Sequence, residues 1–596
     1  MKLYTLLKKS LFKAGFLLSM KIHKCYNTKK TEVNLFMTEK KRFGADLVLE
    51  SLLNHDVKYV FGIPGAKIDR LFEVIENNSN APKLVITKHE QNAAFMAQAV
   101  GRLTGKPGVV LVTSGPGASN LATGILTAQT ENDPVVAIAG QVQRQDLYRR
   151  THQSTPSVLL FNGITKFTTE VQDAENLSEV IANAFDIASA APQGASFISL
   201  PQDVDDSPVS SQALEKVENI SAGPASPEQI EFLAGKIRQA KLPVILVGQR
   251  GSDEKTVKAL HDFLHATKLP VVETFQGAGV IDRSLVEQSF FGRVGLFANQ
   301  TGDQLLKASD LVIALGYDAV EYEPRVWNKN NKLPIATIDS IHAQIDAHYN
   351  PKIQLVGDMP VTINLLAKQL NNYSLSKESN SLLNKYREQL KSEPGGPKFV
   401  AKVGLSHPLD VVHAIQKQVD DNMTVTLDVG SVYIWMSRFF RSYRPRHFLI
   451  SDGMQTLGVA LPWAIAAGLV RPNEKIVSVS GDGGFMFSSA ELETAVRLKS
   501  NLVHIIFNDH GHYDMVKFQE EMKYGKSAGV DFGQVDFVKF AESFGAKGLR
   551  VDDPTKIDQV LTEAFNWDQG PVLVDIPVDY SHDTELYSEL IEGDMD

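Results

Sequence analysis

The stretch Val477-Ser478-Val479-Ser480-Gly481-Asp482-Gly483-Gly484-Phe485 restricts the fold more than any other. Its β-branched run reads as a buried strand that stops at a glycine turn built around one aspartate. A second apolar run, Ile505-Ile506-Phe507, stops at Asn508-Asp509-His510-Gly511. Asp509 follows Asp482 by 27 positions (509 − 482). That interval fits two parallel strands joined by a crossover helix, which brings both carboxylates to one edge of a sheet.

The same alternation runs through the chain. Short apolar runs at Val57–Phe61, Leu84–Thr87, Val109–Thr113 and Val135–Ala139 are separated by helical patterns such as Glu90–Thr104 and Ala118–Thr130. Alternation of this kind predicts a mainly parallel sheet with helices on both faces, and functional loops at the carboxyl ends of its strands. Those ends carry Gly62-Ile63-Pro64-Gly65, Lys88-His89-Glu90-Gln91, Ser114-Gly115-Pro116-Gly117 and Gly140-Gln141-Val142. A second set of runs lies near Pro243–Val247, Val271–Thr274, Leu311–Leu315 and Ile335–Ile338, and a third near Val425–Asp428, Lys475–Val479, His504–Phe507 and Val572–Ile576. Polar stretches at 206–228 and 372–398 read as linkers. The expected fold class is α/β, with three doubly wound parallel-sheet domains at 38–205, 222–372 and 398–580, then an acidic tail at 581–596. The first and third share a layout.

With 596 residues the chain is too long for one core. A net charge of −10 argues against a general nucleic-acid binder. One cysteine, Cys25, excludes a disulfide framework and a cysteine-ligated metal centre. This fits a reducing cytoplasm, and no segment after the leader is long and apolar enough to span a bilayer. Residues 1–30 hold eight lysines and no acid. Lys8, Lys9 and Lys13 interrupt the apolar run there, so 1–37 is expected to be upstream sequence before a start at Met37.

Two carboxylates beside glycine turns suit a hard cation and a diphosphate. Mg²⁺ takes oxygen ligands and bridges carboxylates to phosphate oxygens, and glycines let backbone N–H groups approach the phosphate. An ordinary strand–helix turn with a capping aspartate has the same residues. Glu90, at a strand end, suits both a helix N-terminal acid and a carboxyl that exchanges a proton with a ring nitrogen.

The arrangement resembles the thiamine diphosphate motif, which opens with Gly-Asp-Gly and closes, after a strand, with a pair usually written Asn-Asn; here it is Asn508-Asp509. Within that superfamily residues 38–580 resemble acetolactate synthases. Four segments carry the likeness: Phe61-Gly62-Ile63-Pro64-Gly65-Ala66-Lys67-Ile68-Asp69, Thr113-Ser114-Gly115-Pro116-Gly117-Ala118-Ser119-Asn120, Asp428-Val429-Gly430-Ser431 and Gln455-Thr456-Leu457-Gly458-Val459-Ala460-Leu461-Pro462. The resemblance implies that the first domain binds the aminopyrimidine and the third the diphosphate. The cofactor would lie between the first domain of one subunit and the third of another, in a homodimer or homotetramer.

Residue by residue, the resemblance implies that Glu90 hydrogen-bonds the pyrimidine and promotes its imino tautomer. Leu457 would wedge between the two cofactor rings, and the backbone of Gln455 and Leu457 would bond the pyrimidine. Gly430, Ser431 and Tyr433 would face the diphosphate with Gly481, Gly483 and Gly484. Asp482, Asp509 and the Gly511 carbonyl would hold the metal. His510 and His512 are expected to be solvated loop histidines. The run Leu315-Gly316-Tyr317-Asp318-Ala319-Val320-Glu321-Tyr322-Glu323-Pro324-Arg325 looks like the catabolic kind, which lacks FAD. Aligning on Met515-Val516 puts Gln519 where the biosynthetic kind has a tryptophan, with Phe518 the neighbouring choice. Lys67 and Gln141 are candidates for the pyruvate pocket or for polar surface. The activity implied is condensation of two pyruvates to 2-acetolactate with release of CO₂, feeding acetoin and butanediol formation. A pyruvate oxidase, a 2-keto acid decarboxylase and a non-catalytic subunit keeping the fold are the alternatives.

Overall fold

Among the described residues, each of three sheets contains six strands, all paired in parallel. The computed structural model describes residues 41–217, 222–296, 299–396 and 399–583. The basic leader, most of the acidic tail and parts of both stretches read as linkers lie outside them.

In the first sheet β1 (Tyr59–Ile63), β2 (Lys83–Ile86), β3 (Gly108–Val112), β4 (Val135–Gln141), β5 (Phe167–Glu170) and β6 (Ala195–Pro201) run in the order β2-β1-β3-β4-β6-β5. In the middle sheet β7 (Pro243–Val247), β8 (Val271–Thr274), β9 (Phe290–Val294), β10 (Leu311–Leu315), β11 (Ile335–Asp339) and β12 (Ile353–Val356) run β12-β11-β10-β7-β8-β9. The third sheet holds β13 (Thr424–Leu427), β14 (Phe448–Leu449), β15 (Ile476–Gly481), β16 (Leu502–Asn508), β17 (Lys547–Arg550) and β18 (Val572–Pro577), ordered β14-β13-β15-β16-β18-β17. The first and third sheets thus share one topology, while the middle sheet has the doubly wound order of dinucleotide-binding folds.

The strand order reverses between β1 and β3 and between β13 and β15, so crevices open at the carboxyl ends of those pairs. β13 is followed by the loop Asp428–Gly430, and β15 runs through Gly481 directly into the short helix Asp482–Met486. The expected 27-residue unit is present: β15 pairs β16 in parallel, with Gly481 opposite Phe507, and the helix Glu491–Arg497 lies between them in sequence.

The first and third domains share a core. The helix Glu90–Thr104 presents Phe95 and Met96 to the helix Ala460–Val470, which is apolar on every side and buried accordingly. Arg102, on the first of these, joins all three domains. Its guanidinium pairs with Glu131 and with Asp133 (2.7 Å), donates to the Ile450 carbonyl (2.6 Å) and lies over the Trp463 ring. Gln249 and Gln276 of the middle domain donate to Asp133 and the Ile450 carbonyl. Burial alone would depress the pKa of Arg102, but Asp133 and Glu131 raise it and keep it charged.

One expectation is corrected. The stretch 372–398, read as a linker, contains a 16-residue helix, Lys377–Ser392, capped by Ser376. Leu383 is buried in the middle domain's core, with Tyr386 and Leu390 packed against it. These three make a narrow apolar stripe, and the polar residues on the helix's other sides give the stretch the composition of a linker.

Candidate active site

β2 ends at Ile86, and the turn Thr87-Lys88-His89 leads into the helix that begins at Glu90. His89 caps that helix, its Nδ1 accepting from the Gln91 amide at 3.1 Å. Glu90 is 9 % exposed, and its Oε2 accepts from Asn120 Nδ2 at 2.9 Å. A Cβ placed on Gly117 would lie 3.6 Å from the other oxygen. The carboxylate therefore faces the short helix Pro116–Asn120 that follows β3, at the reversal point of the first sheet.

In the third sheet, the loops after β13 and β16 converge on the start of the helix Asp482–Met486 after β15. Asp482 accepts from its neighbour Gly483 at 2.8 Å and from the Gly511 amide at 2.9 Å. Asp509 accepts from the His512 amide at 3.1 Å. Burial raises both carboxyls above the ordinary range, and the Asp482 charge pushes Asp509 up further. Each carboxylate makes the other harder to ionise, and a cation between them would remove that cost. Space stands open in front: a Cβ on Gly430 meets no atom within 4 Å, and one on Gly481 meets only the Phe507 carbonyl at 4.0 Å. The donor set and the open cradle both fit a divalent cation carrying a diphosphate. No cluster of three or more His, Cys, Asp or Glu side chains suited to a metal occurs among the described residues. A backbone carbonyl is one oxygen ligand that a hard cation accepts beside two carboxylates. The Gly511 carbonyl already accepts from the Phe532 amide at 2.8 Å and has one lone pair left.

Asp428, quoted in the sequence only as part of a segment, is the hub of these loops. Its carboxylate accepts from Val429 (2.9 Å), Gly458 (2.9 Å) and Ala460 (3.3 Å) amides. Burial pushes it up to about 6 against these three donors. It thereby ties the Gly430 loop to the turn Gln455–Gly458. In that turn Gln455 has φ 47° and Gly458 φ 88°, and Leu457 stays half-buried. Ser431 begins the helix Ser431–Phe439 and donates to Asp514 at 3.0 Å. Tyr433 is sunk in the core, its hydroxyl on Asp452 and its amide on the Gly430 carbonyl.

The remaining candidates are spread out. Lys67 reaches Gln202 at 3.4 Å; Gln141 is buried, donating to the Thr155 carbonyl at 2.7 Å. On the helix Asp514–Tyr524, Phe518 enters the core and Gln519 is exposed. His510 is exposed, and His512 bonds Asp531 at 2.7 Å.

Three family models match the chain in turn. They are the thiamine pyrophosphate enzyme N-terminal TPP binding domain over residues 42–160, its central domain over 230–366 and its C-terminal TPP binding domain over 428–576. An acetolactate synthase of Bacillus subtilis is 51% identical over 549 residues, covering 92% of this chain and 95% of that protein. The chain belongs to the acetolactate synthase family. A catabolic acetolactate synthase of Raoultella terrigena is 44% identical over 92% of this chain and 97% of its own length. A probable acetolactate synthase large subunit of Methanococcus aeolicus is 31% identical over 90% and 92%. In a thiamine pyrophosphate enzyme of this family, the convergence of the β13 and β16 loops on the helix Asp482–Met486 lies in the domain that the C-terminal TPP binding model covers. Glu90 lies in the domain of the N-terminal one. No helix among the described residues is long and apolar enough to cross a membrane.

Proposed function

We propose that the protein is a thiamine diphosphate-dependent carboligase of the catabolic kind, joining two pyruvates into 2-acetolactate with release of CO₂. The observation that carries this reading is the pair Asp482–Asp509, a buried and a half-buried carboxylate beside an open glycine cradle, within a chain 51% identical to an acetolactate synthase. Thiamine diphosphate, when bound, supplies the carbon nucleophile and the electron sink for loss of CO₂. The protein's residues bind and orient. Asp482 and Asp509 hold Mg²⁺, with the Gly511 carbonyl as third ligand through its free lone pair. Gly430, Ser431, Gly481, Gly483 and Gly484 line the diphosphate cradle, joined by the backbone beside Tyr433. Leu457 and the backbone of Gln455 and Leu457 support the rings, and Glu90 holds a proton at the pyrimidine nitrogen. Lys67, Gln141 and Gln519, which stand on separate elements, are the residues proposed to meet pyruvate. Glu90 serves a partner subunit's cofactor, which makes a homodimer the smallest active form and a homotetramer the expected one.

FAD is not required in this reading. Its support is that the polar groups at the reversal point between β7 and β10 answer one another, beside a cavity of about 330 Å³ lined in part by Gln249, Arg250, Asp253 and Ser340. Arg250 there pairs with Asp318 (2.6 Å) and Asp339 (2.9 Å), and the Glu321 carboxylate takes the Gln249 amide and the Thr274 hydroxyl.

The test is product analysis with pyruvate, Mg²⁺ and thiamine diphosphate, without flavin. Acetolactate and a flavin-free spectrum are expected, whereas acetaldehyde alone, or acetyl phosphate with a flavin band, would overturn the reading. Glu90→Gln keeps an acceptor for Asn120 and loses the exchangeable proton, so carboligation should fall by about 10²–10⁴-fold. Undiminished carboligation would remove Glu90 from the chemistry.

A further inference from the structure

Glu491 opens the helix Glu491–Arg497 of the third domain, and its side chain is 0 % exposed. A buried carboxylate must be answered by donors. Most of its donors lie some 400 positions away, on both sides of Glu90. One oxygen accepts from the Lys88 amide (2.8 Å), the His89 amide (3.2 Å) and the Asn92 side-chain amide (3.0 Å). Only the fourth donor, the Thr494 hydroxyl (2.7 Å), is local. The same helix holds the turn at two further points: Glu493 pairs with Lys88 (2.7 Å), and Arg497 donates to the Ile86 carbonyl.

A second link continues from Asn92. The Ser488 hydroxyl lies against Asn92 Oδ1 at 2.9 Å and against the Gly458 carbonyl. The Gly458 amide in turn donates to Asp428. A buried polar chain thus runs from Glu491 through Asn92, Ser488 and Gly458 to Asp428, with the one Ser488 proton shared between Asn92 Oδ1 and the Gly458 carbonyl. It joins the turn that carries Glu90 to the turn that carries Leu457.

We propose that Glu491 is a positioning residue. Its carboxylate sets the backbone at Lys88, His89 and Asn92, which fixes where the Glu90 carboxylate stands. Through Ser488 it also locks that placement to the Leu457 turn of the same chain. Its relevance to catalysis rests on the role given to Glu90 above; the geometric claim does not. A carboxylate displaced by a fraction of an ångström loses alignment with the proton it must exchange, without weakening substrate binding.

The experiment uses the full-length protein with Glu491→Ala, Glu491→Gln and Thr494→Val, the last removing only the local donor. Backbone hydrogen exchange on peptides across 84–94 is read in the protein without cofactor, and kcat and KM for pyruvate with it. Glu491→Ala should speed exchange of the Lys88 and His89 amides at least tenfold and lower kcat at least tenfold, with KM within threefold. Glu491→Gln retains an acceptor and should restore most of both, with exchange still several-fold faster than in the unsubstituted protein. Thr494→Val should lower the melting temperature while leaving the exchange of 84–94 and kcat near the starting values.

Unchanged exchange at Lys88 and His89 in Glu491→Ala would overturn the proposal. So would a kcat loss that Thr494→Val reproduces. If Glu491→Ala does not fold, Glu491→Gln decides, and unchanged exchange in that variant refutes the claim. Faster exchange in a chain that makes no acetolactate even before substitution would instead refute the proposed function.

Discussion

Gly458→Ala tests whether the turn carrying Leu457 is built as described. The residue has φ 88°, where a side chain costs about 1 kcal/mol or more. A Cβ there would lie 2.7 Å from the Phe487 Cβ and 2.8 Å from the Ser488 Oγ. Neither neighbour gives way cheaply. Phe487 would have to move from its backbone outward, and the Ser488 hydroxyl is held between Asn92 and the Gly458 carbonyl. Overpacking of this kind costs about 1–3 kcal/mol. The sum is about 2–4 kcal/mol, which for a domain of this size means a melting temperature lower by about 5 °C or more. The strain falls on the loop that Asp428 fixes, so affinity for thiamine diphosphate with Mg²⁺ should weaken as well. Thermal unfolding of the cofactor-free protein measures the first effect, and quenching of tryptophan fluorescence on titration measures the second. A melting temperature within about 1 °C of the starting protein, with unchanged affinity, would refute the reasoning, since the measured shift would then fall well short of the expected one.

The Asp482–Asp509 pair should make metal binding pH-dependent. Both folded-state pKa values are raised above the unfolded value, so the cofactor-free protein should lose stability as pH rises through the pair's titration. Mg²⁺ displaces a proton from the pair, so affinity should rise with pH, by about tenfold per unit, until the pair is fully ionised. Calorimetry in buffers of different ionisation enthalpy checks this, and pH-independent binding without proton release would count against it. Arg102→Met leaves Glu131 and Asp133 buried without their cation, at a cost of about 3–5 kcal/mol. Chemical denaturation should show that loss, and a stability change below about 1 kcal/mol would mean the seam does not depend on the ion pair.

What was legible in the sequence was local. The parallel pairing of β15 with β16 follows from one strand pattern and one spacing, and the helix Glu90–Thr104 begins and ends where its pattern puts it. Strands broken by serine or cut short escaped notice. Ala195-Ser196-Phe197-Ile198-Ser199-Leu200 is fully buried, yet its serines interrupt the apolar run. Phe448–Leu449 is too short to carry a pattern. Asp428 and Glu491 were invisible for a different reason. A buried carboxylate looks like any surface acid until its donors are known, and three of the four donors to Glu491 lie in another domain. The signal available was weak: Asp428 ends an apolar strand and Glu491 precedes Thr494 by one helical turn.

The Arg102 junction also bears on how such a chain can be recombined. Asp133 accepts from Gln249 of the middle domain, Asn132 donates to Asp318, and the Ile450 carbonyl accepts from Gln276. A middle domain transplanted from a relative would arrive without matched partners unless those three side chains came with it. Chimeras cut at the polar stretches should therefore fold only when the junction is inherited as a set, so that three separable sheets behave as one heritable block.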